Sequence, residues 1–211
     1  MSKYSFYSNT YGAQERSIGL VGENRVVLEV GCSTGYVSSR LKKNNCNVYG
    51  IELDPEAAVI AREHCEDVLI GDIERMETLP YSPRQFDVIL FGDVLEHLRN
   101  PDIILKKLKP FLKDNGHIVV TLPNITYWSS RLKIFMGNFE YTDHGILDST
   151  HLRFFNYISA KRLLEENGFM IIKQDFVPPM IFPISTICYF FARLFPNLLA
   201  FQFIFVAKKG A

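Results

Sequence analysis

The residues that can do chemistry cluster first around a turn of small residues. In Val27-Leu28-Glu29-Val30-Gly31-Cys32-Ser33-Thr34-Gly35 an acid stands two residues before the first glycine. The apolar run before the turn reads as a buried strand, and Tyr36–Lys43 follows it as a helix. Residues without bulky side chains let a ligand's polar backbone lie against the chain, and a helix start offers free N–H donors. A carboxylate repels a phosphate but attracts an ammonium. A dinucleotide loop of the type G-x-G-x-x-G/A would need Gly or Ala at position 36, where this chain has Tyr36. The turn therefore favours a small cation-bearing nucleoside over a pyrophosphate, and it disfavours nicotinamide redox chemistry.

A second constellation is His144-Gly145-Ile146-Leu147-Asp148-Ser149-Thr150-His151-Leu152-Arg153-Phe154-Phe155. Asp148 and His151 can pair a carboxylate with an imidazole, holding its tautomer and raising its basicity. Arg153 can clamp a carboxylate or phosphate on a substrate. The same three residues can instead knit the loop to its surroundings through buried hydrogen bonds. His144, Asp148 and His151 are also of metal-ligand type.

The elements that must position these groups alternate along the chain. Asn47–Glu52 is a second strand, ending in the acid Glu52, from which a carboxylate can accept two ribose hydroxyls. Val68–Ile73 is a third, with Asp72 at its carboxyl end, Phe86–Phe91 a fourth, and His117–Leu122 a fifth, introduced by the turn 113–116. Such apolar runs suit strands buried on both faces of a parallel sheet. Helical patterns at Pro55–Cys65 and Pro101–Leu112 each open on proline, a favoured first-turn residue. Ser159–Asn167 reads as a helix stopped by Gly168, then Phe169–Val177 and Phe201–Lys208 as strands. The expected architecture is α/β, a doubly wound and mostly parallel sheet with helices on both faces and a ligand crevice at the strand carboxyl ends.

With Glu29-x-Gly31-x-x-x-Gly35, Glu52, Gly71-Asp72, Phe86–Ile89, Leu95-Glu96-His97-Leu98 and the turn and strand 112–121, the chain resembles the class I S-adenosylmethionine-dependent methyltransferases, over roughly residues 25–176. The resemblance implies a Rossmann-like, seven-stranded sheet whose final strand inserts antiparallel between two parallel neighbours. It also implies that Glu29 and the backbone of Gly31, Cys32, Ser33 and Gly35 hold the methionine part of S-adenosyl-L-methionine. Glu52 and the adjoining Leu53 would serve the ribose, Asp72 and Ile73 the adenine. Gly92 and Asp93 would lie beside the sulfonium and the substrate entrance. Ser33 departs from the glycine often found at the middle of the loop. Serine tolerates the turn if φ stays negative, so weaker or slightly shifted binding is expected. Segments similar to Asp-x-Thr-His-x-Arg-x-Phe occur in small methyltransferases of methionine-linked and ubiquinone-type pathways. For a hydroxyl acceptor His151 is the leading base, with Asp148 behind it, and His97 is the next. Methyl transfer needs no metal, so none is expected.

The 211 residues suit a single methyltransferase domain, 1–211, nearly half of it apolar. Basic and acidic residues balance at 23 each, so no overall field favours nucleic acid. The four cysteines lack C-x-x-C spacing and read as reduced core residues of a cytoplasmic protein, and the first residues lack a signal-peptide run. Tyr4, Tyr7 and Tyr11 recur at helical spacing within a cap, 1–24, that either staples to the sheet or closes as a lid. Tyr11 and Tyr127 are candidate acceptor contacts, the latter in a substrate-side insertion, 123–157. A second insertion, 178–200, is rich in Ile, Phe and Leu, but Pro183, Arg193 and Pro196 interrupt any bilayer span. It is expected to form a short helical element that packs on the sheet edge, or presents an apolar face to a membrane, a lipid-linked substrate or a twin subunit. The function expected is methyl transfer to O or N of a small-molecule, glycan or lipid-linked acceptor. A non-catalytic cofactor-binding module acting through a partner is the alternative.

Overall fold

Residues 12–178 and 185–210 are described by the structure, a computed structural model. Tyr4, Tyr7 and Tyr11, and with them the lid reading, lie outside the described residues, as do positions 179–184 of the second insertion. Seven strands run through the chain: β1 (Val26–Val30), β2 (Asn47–Glu52), β3 (Asp67–Ile70), β4 (Phe86–Gly92), β5 (Leu112–Pro123), β6 (Phe169–Val177) and β7 (Gln202–Lys209). They form one sheet in the order β3-β2-β1-β4-β5-β7-β6. The first five are parallel, and β7 lies antiparallel between β5 and β6, as expected.

The helices are α1 (Ala13–Val21), α2 (Tyr36–Lys43), α3 (Pro55–Ala61), α4 (Pro101–Leu108), α5 (Trp128–Phe135), α6 (Tyr157–Glu166), α7 (Ser185–Leu194) and α8 (Pro196–Leu199). Side chains alternate across a strand, so each central strand feeds two cores. Leu28, Val30, Ile89, Phe91, Val120, Phe203 and Phe205 face α4, α6 and α7. Val27, Val88, Leu90, Val119, Ile204 and Val206 face α1, α2 and α3. The open side of this three-layer sandwich is the row of strand carboxyl ends.

Several boundaries differ from the sequence reading. The helix from Pro55 ends at Ala61, and residues up to Cys65 form turns. The helix from Pro101 ends at Leu108, because Pro110 has no N–H to continue the ladder; a 3-10 turn, Lys109–Phe111, leads into β5. Residues 113–116 are not a turn before the fifth strand but an excursion within it, since Leu112 already pairs with Phe86 before the register slips to Val88–His117. Asp87 anchors that excursion: its carboxylate accepts from Lys113 Nζ at 2.9 Å and from the N–H of Val26 at 2.9 Å. β3 stops at Ile70, leaving Asp72 in the following turn, where it accepts from the N–H of Glu74 at 2.9 Å. α6 starts two residues early because Asn156 and Ser159 form a reciprocal capping box.

The second insertion does become helical. α7 buries Ala192 completely, and Tyr189 donates to Asp175 Oδ1 at 2.9 Å, which seats the helix on β6. Ile187, Phe190, Phe191, Leu194 and Phe195 remain exposed. No helix among the described residues is long and apolar enough to cross a membrane. Asn124, fully buried after β5, ties α8 down by donating to the carbonyls of Pro196, Asn197 and Ala200.

Candidate active site

The turn between β1 and α2 forms the floor. Gly31, Ser33 and Gly35 have φ of 71°, 49° and 77°, the left-handed region that side chains disfavour. At Gly31 a Cβ would also lie 2.7 Å from Val94 Cγ2, so the glycine serves both conformation and space. The expectation that Ser33 keeps a negative φ is thus overturned. Its cost, about 1–2 kcal/mol for a residue with a Cβ, is offset by a charge-assisted bond from the Ser33 N–H to Glu52 Oε2 at 2.6 Å. Glu52 Oε1 accepts from the N–H of Asp54 at 2.9 Å. Each carboxylate oxygen keeps a second lone pair for a ligand hydroxyl.

Three acids converge above this floor. Glu29, on β1, is buried, and Ser38 of α2 donates to its Oε2 at 2.5 Å. Burial holds its carboxyl proton up to about pH 8, against the pull of that hydrogen bond; the nearby Cys65 and Glu52 add to the rise. Asp93 follows β4 with φ 54°. Thr121 Oγ1 donates to Asp93 Oδ1 at 2.7 Å, and Gln202 Nε2 lies 3.1 Å from both carboxylate oxygens. Burial again raises the carboxyl above its ordinary range, opposed by Thr121 and Gln202. The Tyr36 hydroxyl lies among all of them: burial raises its pKa most, followed by the fields of Glu29, Asp93 and Glu52. This pocket is built for positive charge.

The other expected cofactor residues fall around it unevenly. Cys32 turns its thiol into the core beneath Gly50, leaving only its backbone to the loop. Leu53 is exposed beside Glu52, Gly92 is exposed at the end of β4, and Ile73 is buried next to Asp72. Asp72 Oδ2 meets Arg75 Nε at 3.2 Å.

The second constellation arrives at the same end of the sheet, in roles that differ from those its residue types suggest. The N–H groups of Leu152 and Arg153 donate to the Glu96 carbonyl at 2.8 and 2.9 Å. Arg153 spends its guanidinium on the Arg99 carbonyl, at 3.1 Å from Nε and 2.5 Å from Nη2, which favours the knitting role over a substrate clamp. Asp148 accepts at Oδ1 from the N–H and hydroxyl of Thr150, a local turn. The carboxylate facing His151 Nε2 is Glu96, at 4.0 Å, and the His151 side chain is only 7% exposed. Burial, then the charge of His97, lowers the His151 pKa. Tyr127 is buried against Phe201 and Trp128, a packing role in place of an open acceptor contact. Sequence reasoning missed Thr121, Gln202 and the side chains of Tyr36 and Glu96. Only Glu96 carried a signal, an acid next to His97 between the apolar pair Val94-Leu95 and Leu98.

A doubly wound sheet with an acid-lined glycine turn at its carboxyl edge defines a nucleoside-cofactor domain for a cationic ligand. The family model described as "Methyltransferase domain" matches residues 15–174. The chain belongs to the class I S-adenosylmethionine-dependent methyltransferases, and S-adenosylmethionine is its cofactor. A ubiquinone biosynthesis O-methyltransferase of Actinobacillus pleuropneumoniae is 31% identical over 160 residues, 72% of this chain and 66% of that relative. One from Glaesserella parasuis is 28% identical over 159 residues, 71% of this chain and 65% of the relative. The match thus spans just under two thirds of these relatives' length. Among solved structures, a SAM-dependent methyltransferase from Archaeoglobus fulgidus superposes with a TM-score of 0.64 at 20% identity, covering 94% of this chain and 95% of that one. The 1,6-didemethyltoxoflavin-N1-methyltransferase of Burkholderia thailandensis, with bound 1,6-didemethyltoxoflavin and S-adenosylhomocysteine, gives a TM-score of 0.63 at 16% identity, covering 95% of this chain and 80% of that one. These structural likenesses bear on the fold.

Proposed function

We propose that the protein moves the methyl group of S-adenosylmethionine to a hydroxyl oxygen of a small acceptor with an apolar body. The observation that carries this reading is the convergence of Glu29, Glu52 and Asp93 around Tyr36, above a turn of left-handed residues. When bound, the cofactor supplies an already electrophilic methyl carbon. The chain's own work is to bind, align and exclude water, and alignment of this kind can contribute about 7–11 kcal/mol. Glu29 would pair with the cofactor's ammonium while the loop N–H groups take its carboxylate. Glu52 would hold the ribose, with Asp72 and Ile73 at the adenine. Replacing Glu52 by Ala removes both the ribose acceptor and the clamp on Ser33. Titration calorimetry should show cofactor binding weaker by about 1.5–3 kcal/mol; unchanged affinity would remove Glu52 from the site.

A hydroxyl must lose a proton as it attacks. His151 is buried with Nδ1 on the Ile146 carbonyl, and its remaining nitrogen, Nε2, is turned to the buried Glu96 carboxyl group, which disfavours it as the base for an incoming acceptor. Asp93, at the strand end and with a raised pKa, replaces it as the proposed base. The names of the sequence relatives support oxygen as the acceptor atom. Exposed Trp128, Leu132, Phe135, Phe139 and Tyr141 on the 123–157 segment support an apolar acceptor body. The test uses methyl-labelled cofactor with pools of phenols, amines, glycans and lipid-linked alcohols, followed by mass identification of the product. Label on a phenolic oxygen is expected. Tight cofactor binding without label on any pool would favour the partner-dependent module.

The same reading makes the exposed face of α7 and α8 a peripheral membrane contact. Replacing Phe190 and Phe191 together by Ser should reduce sedimentation with anionic liposomes and leave cofactor affinity unchanged. Wild-type protein that ignores liposomes but doubles in mass by light scattering would reassign the face to a dimer.

A further inference from the structure

One carboxylate and two imidazoles meet where the 3-10 turn Leu95–His97 passes under the segment that carries His151. One donor atom each from Glu96, His97 and His151 lies within 4.8 Å of the other two. Both oxygens of Glu96 are buried and without a hydrogen-bond partner among the described residues, and the residue is 1% exposed. We propose that Glu96, His97 and His151 form a binding site for one divalent first-row transition-metal ion.

The tautomers of both rings are set by backbone carbonyls. His151 Nδ1 lies 3.1 Å from the Ile146 carbonyl oxygen, which can only accept, so the ring proton sits on Nδ1 and Nε2 keeps its lone pair. That lone pair faces Glu96 Oε1 across 4.0 Å, too far for a hydrogen bond. His97 Nδ1 lies 3.2 Å from both the carbonyl oxygen and the hydroxyl of Thr150, and that hydroxyl gives its own proton to Asp148 Oδ1, so the ring proton sits on Nδ1 and Nε2 keeps its lone pair. Metal-binding histidines are oriented in this way, by giving the other ring N–H to a backbone carbonyl. The Nε2 lone pair of His151 therefore faces a buried carboxyl group that makes no hydrogen bond, with a donor atom of His97 within 4.8 Å of both, an arrangement that a cation satisfies and that packing alone leaves costly.

The surroundings favour a cation as well. Asp93 and Asp148 add negative potential at Glu96. No Lys or Arg side chain is bonded to the Glu96 carboxylate among the described residues. Two imidazoles with one carboxylate suit Zn²⁺, Co²⁺ or Fe²⁺, whereas Mg²⁺ and Ca²⁺ prefer oxygen alone. Ligands settle about 2.0–2.2 Å from such an ion, so the three side chains close inward by rotation when it binds. The sequence offered His144, Asp148 and His151 as ligand types; the structure keeps only the last and adds the adjacent pair Glu96-His97. An ion here ties the 144–155 segment to the end of β4, whichever acceptor the enzyme takes.

The experiment titrates Co²⁺ into the untagged full chain after chelator treatment. One equivalent should bind and give visible d–d absorption, and Zn²⁺ should bleach it. Glu96→Gln, His97→Gln and His151→Gln should each lower Co²⁺ affinity by at least about tenfold. S-adenosylhomocysteine affinity, measured in parallel, shows that each variant is folded. A wild-type protein that binds cofactor but gives no d–d band overturns the site. So does a band that survives unchanged in His97→Gln and Glu96→Gln variants that still bind S-adenosylhomocysteine. Failure of methyl transfer with the band intact would count against the proposed reaction and leave the metal site standing.

Discussion

Replacing Asp93 by Asn is expected to slow methyl transfer to a hydroxyl acceptor by about 10²–10⁴-fold, with S-adenosylhomocysteine affinity changed only a few-fold. Asn has the size of Asp and can still accept at Oδ1 from Thr121 and Gln202, losing only the Gln202 contact to Oδ2, so the left-handed backbone at φ 54° keeps most of its side-chain anchors. What it lacks is a site for a proton. The wild-type carboxyl is raised by burial, which brings it closer to the range in which a base works well near neutral pH. Stopped-time assays with labelled cofactor, alongside calorimetry, separate turnover from binding. An undiminished rate would mean that the acceptor brings no proton to be removed, and would point to a neutral amine.

The second large effect concerns Glu29 and has two opposite signs. Burial pushes the Glu29 carboxyl up from its ordinary 4.5 to about 8. Between those values the folded chain holds more protons than the unfolded one, so stability is full below about 4.5 and falls as pH rises to about 8. The whole interval corresponds to on the order of 5 kcal/mol. Glu29→Gln keeps the bond from Ser38 without the charge, and should melt higher than wild type at pH 8–9 when no ligand is present. It should also bind cofactor far more weakly. In the wild type an ammonium partner favours the ionised form, so binding expels a proton below pH 8. Affinity should then climb by up to about tenfold per pH unit and level off above 8. The Gln variant should lose that slope. Equal pH profiles in both proteins would place the ammonium elsewhere.

Much of this arrangement was legible in the residues. The apolar runs of β1, β2, β4 and β5 could be buried on both faces only in a parallel sheet. Glu29 and Glu52 could be found because each occupies a set place relative to a strand end. What escaped reading depends on pairings remote in sequence. Gln202 reaches Asp93 across 109 positions only because β7 enters antiparallel beside β5, and nothing local to Gln202 announces that contact. Ser33 adopts a glycine-like φ because a carboxylate from another strand holds its N–H, a tertiary bond that overrides local preference. Asp148 and His151 have the spacing of a pair, yet Thr150 intervenes as the nearer donor, and the imidazole turns to Glu96, over fifty residues upstream.

The placement of β7 also sets the order in which the molecule can become an enzyme. Every acid of the pocket, from Glu29 to Asp93, precedes it in the chain, as do both strands that flank it. During synthesis the backbone edge of β5 stays unpaired until Gln202–Lys209 emerges, with the spaces for Phe203 and Phe205 unfilled between the layers. Such an edge invites pairing with another nascent chain. The strand that closes it also delivers Gln202 to Asp93. Sealing of the sheet and completion of the proposed proton acceptor are therefore one event, and a growing chain acquires the full pocket only when it has lost the open edge of β5.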